Sequence, residues 1–184
     1  MPLPLETERL TLRVAEESDL PALVAILGDR DVMKLALRER PFTEAEARVF
    51  IDADFAREPS DITKLGVLCV RSDGRVIGFA GILPCKYLPG EFEFGFVLAA
   101  PAHGHGFATE IGRKFIDVGF QWLGREHLYA LCDPRNLASK AVLSRKLRMS
   151  FVGEIATPDR GQRLVFQRSR QEHGDDDGGP PVEA

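Results

Sequence analysis

Residues 90–122 restrict the fold more than any other stretch, because a strand, a glycine-rich turn and a helix follow one another there without a break. "GEFEFGFVLAA" (90–100) alternates. Glu91, Glu93, Gly95 and Val97 fall on one face, and Phe92, Phe94, Phe96 and Leu98 on the other. A period of two with one apolar face predicts a half-buried strand. "PAHGHGFATE" (101–110) follows. After it Ile111, Phe115, Val118 and Trp122 recur at i, i+4, i+7 and i+11, one apolar stripe of a helix. "HLYALCD" (127–133) is the next strand. Two strands joined through a helix need a crossover connection and so can lie parallel.

The remaining segments fit around this unit. "RLTLRV" (9–14) predicts a short strand, and "EESDLPALVAILGD" a helix with Ser18 or Asp19 as cap and Pro21 in its first turn. Thr43 and Glu46 form a capping-box pattern at the head of a helix running to about Arg57. Two apolar runs around "SDGR" (72–75) predict a hairpin. "NLASKAVLSRKL" (136–147) predicts a helix, and "SFVGEI" and "QRLVFQ" a last hairpin around "TPDRG". The expected fold is α/β (α+β). One domain holds a mixed, mostly antiparallel sheet with helices on both faces, its first four strands forming a meander after a helical excursion.

At 184 residues the chain is long enough for one core without staples. Its net charge of −4 is uneven. Residues 168–184 hold five acidic and two basic residues, which leaves −1 on residues 1–167. We therefore read residues 1–167 as the domain and 168–184 as an acidic, disordered tail. A nearly neutral body offers no footprint for nucleic acid. Cys69, Cys85 and Cys132 are too scattered for a disulfide framework or a metal knuckle and read as buried, reduced thiols. No apolar run is long enough for a membrane span and no leader pattern opens the chain, so a cytoplasmic protein is expected.

The turn at 101–109 admits three readings. His103 and His105 could hold a metal, but zinc wants three or four converging ligands and no cysteine is near. A plain tight turn explains the glycines but not the helix that starts at once. The third reading is an anion cradle. The first N–H groups of a helix lack internal partners and carry the positive end of its dipole, and glycine lets a ligand approach that backbone. A nucleotide-binding α/β fold is a poorer fit, since there is no GKS or GKT and no acidic residue closes a second strand about twenty residues on.

"HGHGFATE" (103–110) resembles the coenzyme A loop of the GCN5-related N-acetyltransferases (GNAT), with Gly106 and Ala108 at its small positions and His103 where that family has Gln or Arg. "LETERLTLR", "EFEFGFVL" and "NLASKAVLSRKLRMSFVGE" resemble the branch that contains the ribosomal-protein N-terminal acetyltransferases, so the likeness spans about residues 5–167. The resemblance implies direct transfer of acetyl from acetyl-CoA to an amine, with no metal. It implies two central parallel strands splayed apart, with the pantetheine arm against Phe96, Val97 and Leu98, in the manner of an added strand. The pyrophosphate would lie on His103, Gly104, His105, Gly106, Phe107, Ala108 and Thr109. A backbone N–H of the splayed strand would stabilise the oxyanion.

Glu93 is the expected base, with Glu91 on the same face as the alternative. Ser139 stands where the branch can place a group for the departing thiolate. Asn136 reads first as the cap of that helix and second as a pantetheine contact. Arg148 stands where the family motif has a glycine. If that position is left-handed, arginine costs about 1 kcal/mol or more there. The acceptor, a protein N-terminus or a small-molecule amine, is expected against residues 30–42, "KYLPGE" (86–91) and the last hairpin. Neither a membrane nor a nucleic-acid partner is expected, and the chain would act as a monomer or homodimer. The alternative is a module of the same fold that binds acyl-CoA as a regulatory ligand without turnover.

Overall fold

The computed structural model describes residues 2–37 and 40–177. Among the described residues eight strands form one sheet in the order β1-β2-β3-β4-β5-β6-β8-β7. They are β1 (Leu5–Glu6), β2 (Leu10–Arg13), β3 (Gly66–Val70), β4 (Val76–Pro84), β5 (Phe92–Leu98), β6 (His127–Cys132), β7 (Ser150–Thr157) and β8 (Gly161–Ser169). Neighbours β2 to β5 pair antiparallel in sequence order, the expected meander. β5 and β6 pair parallel, joined across the sheet by α4 (Phe107–Gln121).

Each face of the sheet carries its own core. On one, Phe94, Leu128, Ala130 and Phe166 pack against Ile111, Phe115, Ile116 and Phe120 of α4. On the other, Val67 and Phe79 meet α1 (Leu20–Gly28), α2 (Arg30–Met33) and α3 (Glu44–Asp54), with Leu23, Leu27, Met33 and Ile51 fully buried. Thr43 and Glu46 cap α3 reciprocally, as their spacing predicts. Asp19 does not cap α1 through its side chain. It is buried and binds the Arg13 guanidinium at 2.7 and 2.8 Å, tying β2 to the head of that helix.

Three expectations change. Trp122 leaves the apolar stripe and is exposed, because α4 ends at Gln121 and Leu123 packs against the core in its place. The helix at 136–147 is α5 (Leu137–Ala141) continued by a π-helical turn, Val142–Lys146. The strand read as ending at Gln167 runs to Ser169, and α6 (Arg170–Asp177) follows, so the boundary placed at 167/168 falls inside β8. The reason is hydrogen bonding. Arg168 donates to the Arg148 and Glu172 carbonyls, and Arg170 to those of Phe120 and Arg125. The end of the acidic tail, residues 178–184, lies outside the described residues.

Candidate functional site

The central feature is a gap. β5 pairs along its whole length with β4, and β6 with β8. Between themselves β5 and β6, among the described residues, are paired in register at one position only, Glu93 opposite Tyr129, and the ladder ends there. The edge of β5 from Phe94 to Leu98 therefore has no strand partner among the described residues. Backbone N–H and C=O groups on such an edge are open to an extended ligand. From Glu93 to Leu98 the gap runs five residues, about 17 Å of strand.

Phe96, Val97 and Leu98 lie along this edge. Phe96 is half-buried against the α4 core, Val97 packs on the opposite core, and Leu98 is buried. Glu93 sits where the strands still touch, only 8% exposed, and burial pushes its carboxyl above the ordinary range, against the pull of Arg160. Two residues further along the same face Gly95 is exposed, and nothing lies within 4 Å of where a side chain there would project. A carboxylate with a raised pKa beside open space is a candidate proton acceptor. Glu91, half-buried, precedes the strand, and its N–H donates to the Leu88 carbonyl.

The glycine turn lies just past the open end of the gap. Gly104 and Gly106 both adopt left-handed backbone, φ 78° and 81°, which explains why small residues stand there. Gly106 is the N-cap of α4, and the first internal bond of that helix runs from the Glu110 N–H to the Gly106 carbonyl. The N–H groups of Phe107, Ala108 and Thr109 thus have no internal helical partner. The two histidines are not aimed outward as a pair. The His103 ring nitrogen Nε2 is 2.9 Å from the Leu98 carbonyl, and Nδ1 of His105 is 2.8 Å from the His103 carbonyl, with the His105 ring stacked on Phe107. Among the described residues no group of three or more His, Cys, Asp or Glu is placed to hold a metal, and no helix is long and apolar enough to cross a membrane.

Asn136 and Ser139 follow the end of β6, on the same side as the glycine turn. The Asn136 side chain accepts the Ser139 N–H at 3.0 Å, so it caps α5 as its type predicts. The Ser139 side chain lies near the Cys132 thiol, whose pKa burial drives up to about 11 against the opposing pull of Ser139. Glu93 stands at the joined end of the gap, so the two candidate catalytic groups are not in contact. Arg148 has φ 51°, the left-handed conformation that its place in the motif demands.

Sequence reasoning missed how the region where an acceptor is expected is built. The loop after β4 is locked to the turn between β7 and β8. Asp159 accepts from the Tyr87 hydroxyl and from Lys86 Nζ, and these bonds hold its carboxyl down at about 2. Arg160, next in the turn, lies near Glu93. Beside this turn runs a groove of about 640 Å³ lined by Leu37, Phe42, Val49 and Phe50 together with Asp54 and Arg160. The three segments expected to hold an acceptor do converge, except that residues 38 and 39 lie outside the described residues. A buried cluster pins this region. Asp133 bonds Arg135 and Arg163, and Arg163 also donates to the Ala36 carbonyl. No short motif signals it, since Asp133 and Arg163 are 30 residues apart.

Residues 9–149 match the family model described as "Acetyltransferase (GNAT) domain". The chain is 33% identical over 143 residues to a protein of Bacillus licheniformis named "Uncharacterized N-acetyltransferase p20", covering 76% of this chain and 79% of that one. Among solved structures it resembles an acetyltransferase (GNAT family) from Bacillus anthracis, with TM-score 0.76, 23% identity, and 92% and 100% of the two chains covered. It also resembles an aminoglycoside acetyltransferase solved in complex with coenzyme A, with TM-score 0.71, 20% identity, and coverage of 92% and 99%.

Proposed function

Because this chain belongs to the GNAT acetyltransferase family, we propose that it transfers the acetyl group of acetyl-CoA directly to a primary amine, a protein N-terminus or a small-molecule amine. The observation that carries this reading is the parting of β5 from β6 after Glu93 and Tyr129, with the glycine turn set at the open end. An extended pantetheine arm spans a gap of this length. It would run along β5 at Phe96, Val97 and Leu98 and pair with the backbone groups there that face away from β4, while the amides from Gly104 to Thr109 receive the pyrophosphate. The Leu98 carbonyl already faces His103, so that histidine braces the turn.

In the transfer, the amine nitrogen forms a bond to the thioester carbon, and the carbon–sulfur bond breaks. The amine proton goes to Glu93, directly or through a water in the space beside Gly95. The CoA thiolate leaves with the Ser139 hydroxyl as the candidate hydrogen-bond donor to it, and the proton that Glu93 accepted passes to the thiolate through water, which gives the free thiol and restores the carboxylate. Burial favours Glu93 here, since a carboxylate with a raised pKa is a stronger base near neutrality. The groove beside Arg160 is where the acceptor would lie, with an apolar lining against its body.

The test is a panel of peptide N-termini, polyamines and amino sugars assayed for release of the CoA thiol from acetyl-CoA. Acetylation of at least one class, dependent on Glu93, supports transfer. Tight binding of acetyl-CoA with no amine acetylated would replace transfer by the regulatory-module reading.

A further inference from the structure

Arg9, at the entry to β2, makes contacts that the proposed chemistry does not use. Its Nε and Nη2 donate to Glu110 in the first turn of α4, both at 2.7 Å, and its Nη1 donates to the His105 carbonyl at 3.0 Å. The guanidinium lies 4.8 Å from the centre of the Phe107 ring, on which His105 is stacked. Glu110 is engaged by the same corner. It accepts from the Thr7 hydroxyl and from the Arg9 backbone N–H. Burial alone would raise the Glu110 carboxyl, but these bonds outweigh it and hold it low.

The bond to His105 matters for function. A peptide unit is planar and trans, so its C=O and N–H point in opposite directions. Fixing the His105 carbonyl on Arg9 fixes the Gly106 N–H on the far side, away from the guanidinium. His105 and Gly106 are exposed, and glycines on both sides of His105 leave that peptide free to rotate unless something holds it.

We propose that Arg9 is a positioning residue for coenzyme A. Its forked guanidinium clamps the His105–Gly106 peptide to Glu110, so that the turn presents its N–H groups to the pyrophosphate before the ligand arrives. Glu110 neutralises the Arg9 charge, so the device is geometric and not a general attraction for anions. It also explains how a loop with histidine in place of Gln or Arg keeps its shape. The inference rests on the acetyl-CoA reading above.

The experiment compares two ligands on the full chain by calorimetry. Acetyl-CoA has the pyrophosphate, and S-acetylpantetheine has the same thioester and arm without it. In the wild type, acetyl-CoA should bind at least about tenfold more tightly. Arg9→Lys keeps the charge but cannot hold both partners at once. It should lose most of that preference, with S-acetylpantetheine affinity unchanged. Glu110→Gln, which loosens the other end of the clamp, should lose it in the same direction and serves if Arg9→Lys does not fold. A fall in affinity for both ligands together makes Arg9 merely structural, and an unchanged preference in both variants overturns the clamp. A wild type without any preference would instead remove the cradle, and the acetyl-CoA reading with it.

Discussion

Glu93 shows how one buried residue separates stability from function. Its folded pKa is raised, so the native state holds the proton more tightly than the unfolded chain does. Whatever stability this gives is present below the unfolded pKa and lost as pH rises through the folded one. At neutral pH the ionised carboxylate is therefore a burden on the fold. Glu93→Gln should lower turnover by about a hundredfold while leaving acetyl-CoA affinity unchanged. Its melting temperature should stay equal or rise, and a fall would mean that the carboxylate is structural. The acid limb of the wild-type pH–rate profile should lie above the ordinary carboxylate range. Arg148 is the reverse case, a side chain where the backbone asks for none. Arg148→Gly should stabilise the protein by about 0.5–1 kcal/mol, the left-handed strain relieved less the entropy of glycine. Chemical denaturation measures it.

At the scale of elements, the site depends on strands held at fixed spacings. Gly78 on β4 faces the end of β5 so closely that a methyl group there would lie 2.1 Å from the Val97 carbonyl. Backbone cannot step aside as a side chain can. Gly78→Ala should cost about 1–3 kcal/mol and weaken acetyl-CoA binding, because it displaces the edge that the arm would use. The far end of β6 is fixed by Asp133, buried with Arg163. The Arg135 guanidinium, ahead of burial and of the other bonds, holds its carboxyl down at about 2. That stability is present above the unfolded pKa of about 4 and is lost as pH falls toward 2. Asp133→Asn should cost about 3 kcal/mol at neutral pH, since it takes away the buried carboxylate paired with Arg163. The variant should also lose the wild type's extra acid sensitivity between about pH 4 and 2, which acid titration of the fold would show.

Seen as a whole, the molecule was legible in sequence wherever a period or a cap repeats in a few residues. The alternation of 90–100, the stripe Ile111–Phe115–Val118 and the Thr43–Glu46 box each carry their own geometry, and together they place the parallel pair and the glycine turn. What was not legible depends on partners far away in the chain. Trp122 fits the stripe by number but stands one residue past the helix end. Arg168 and Arg170 look like tail residues, yet their long stems reach carbonyls of β6's approach, α4 and the segment before β7. Arg9 reads as a strand charge until α4 folds back beside it. The central claim remains that this gap and turn receive acetyl-CoA. The most direct measurement is calorimetric titration of the wild type and of Gly106→Trp with acetyl-CoA. One-to-one binding by the wild type, abolished in the variant, is the predicted result. No binding by the wild type, or affinity retained by Gly106→Trp, would contradict it.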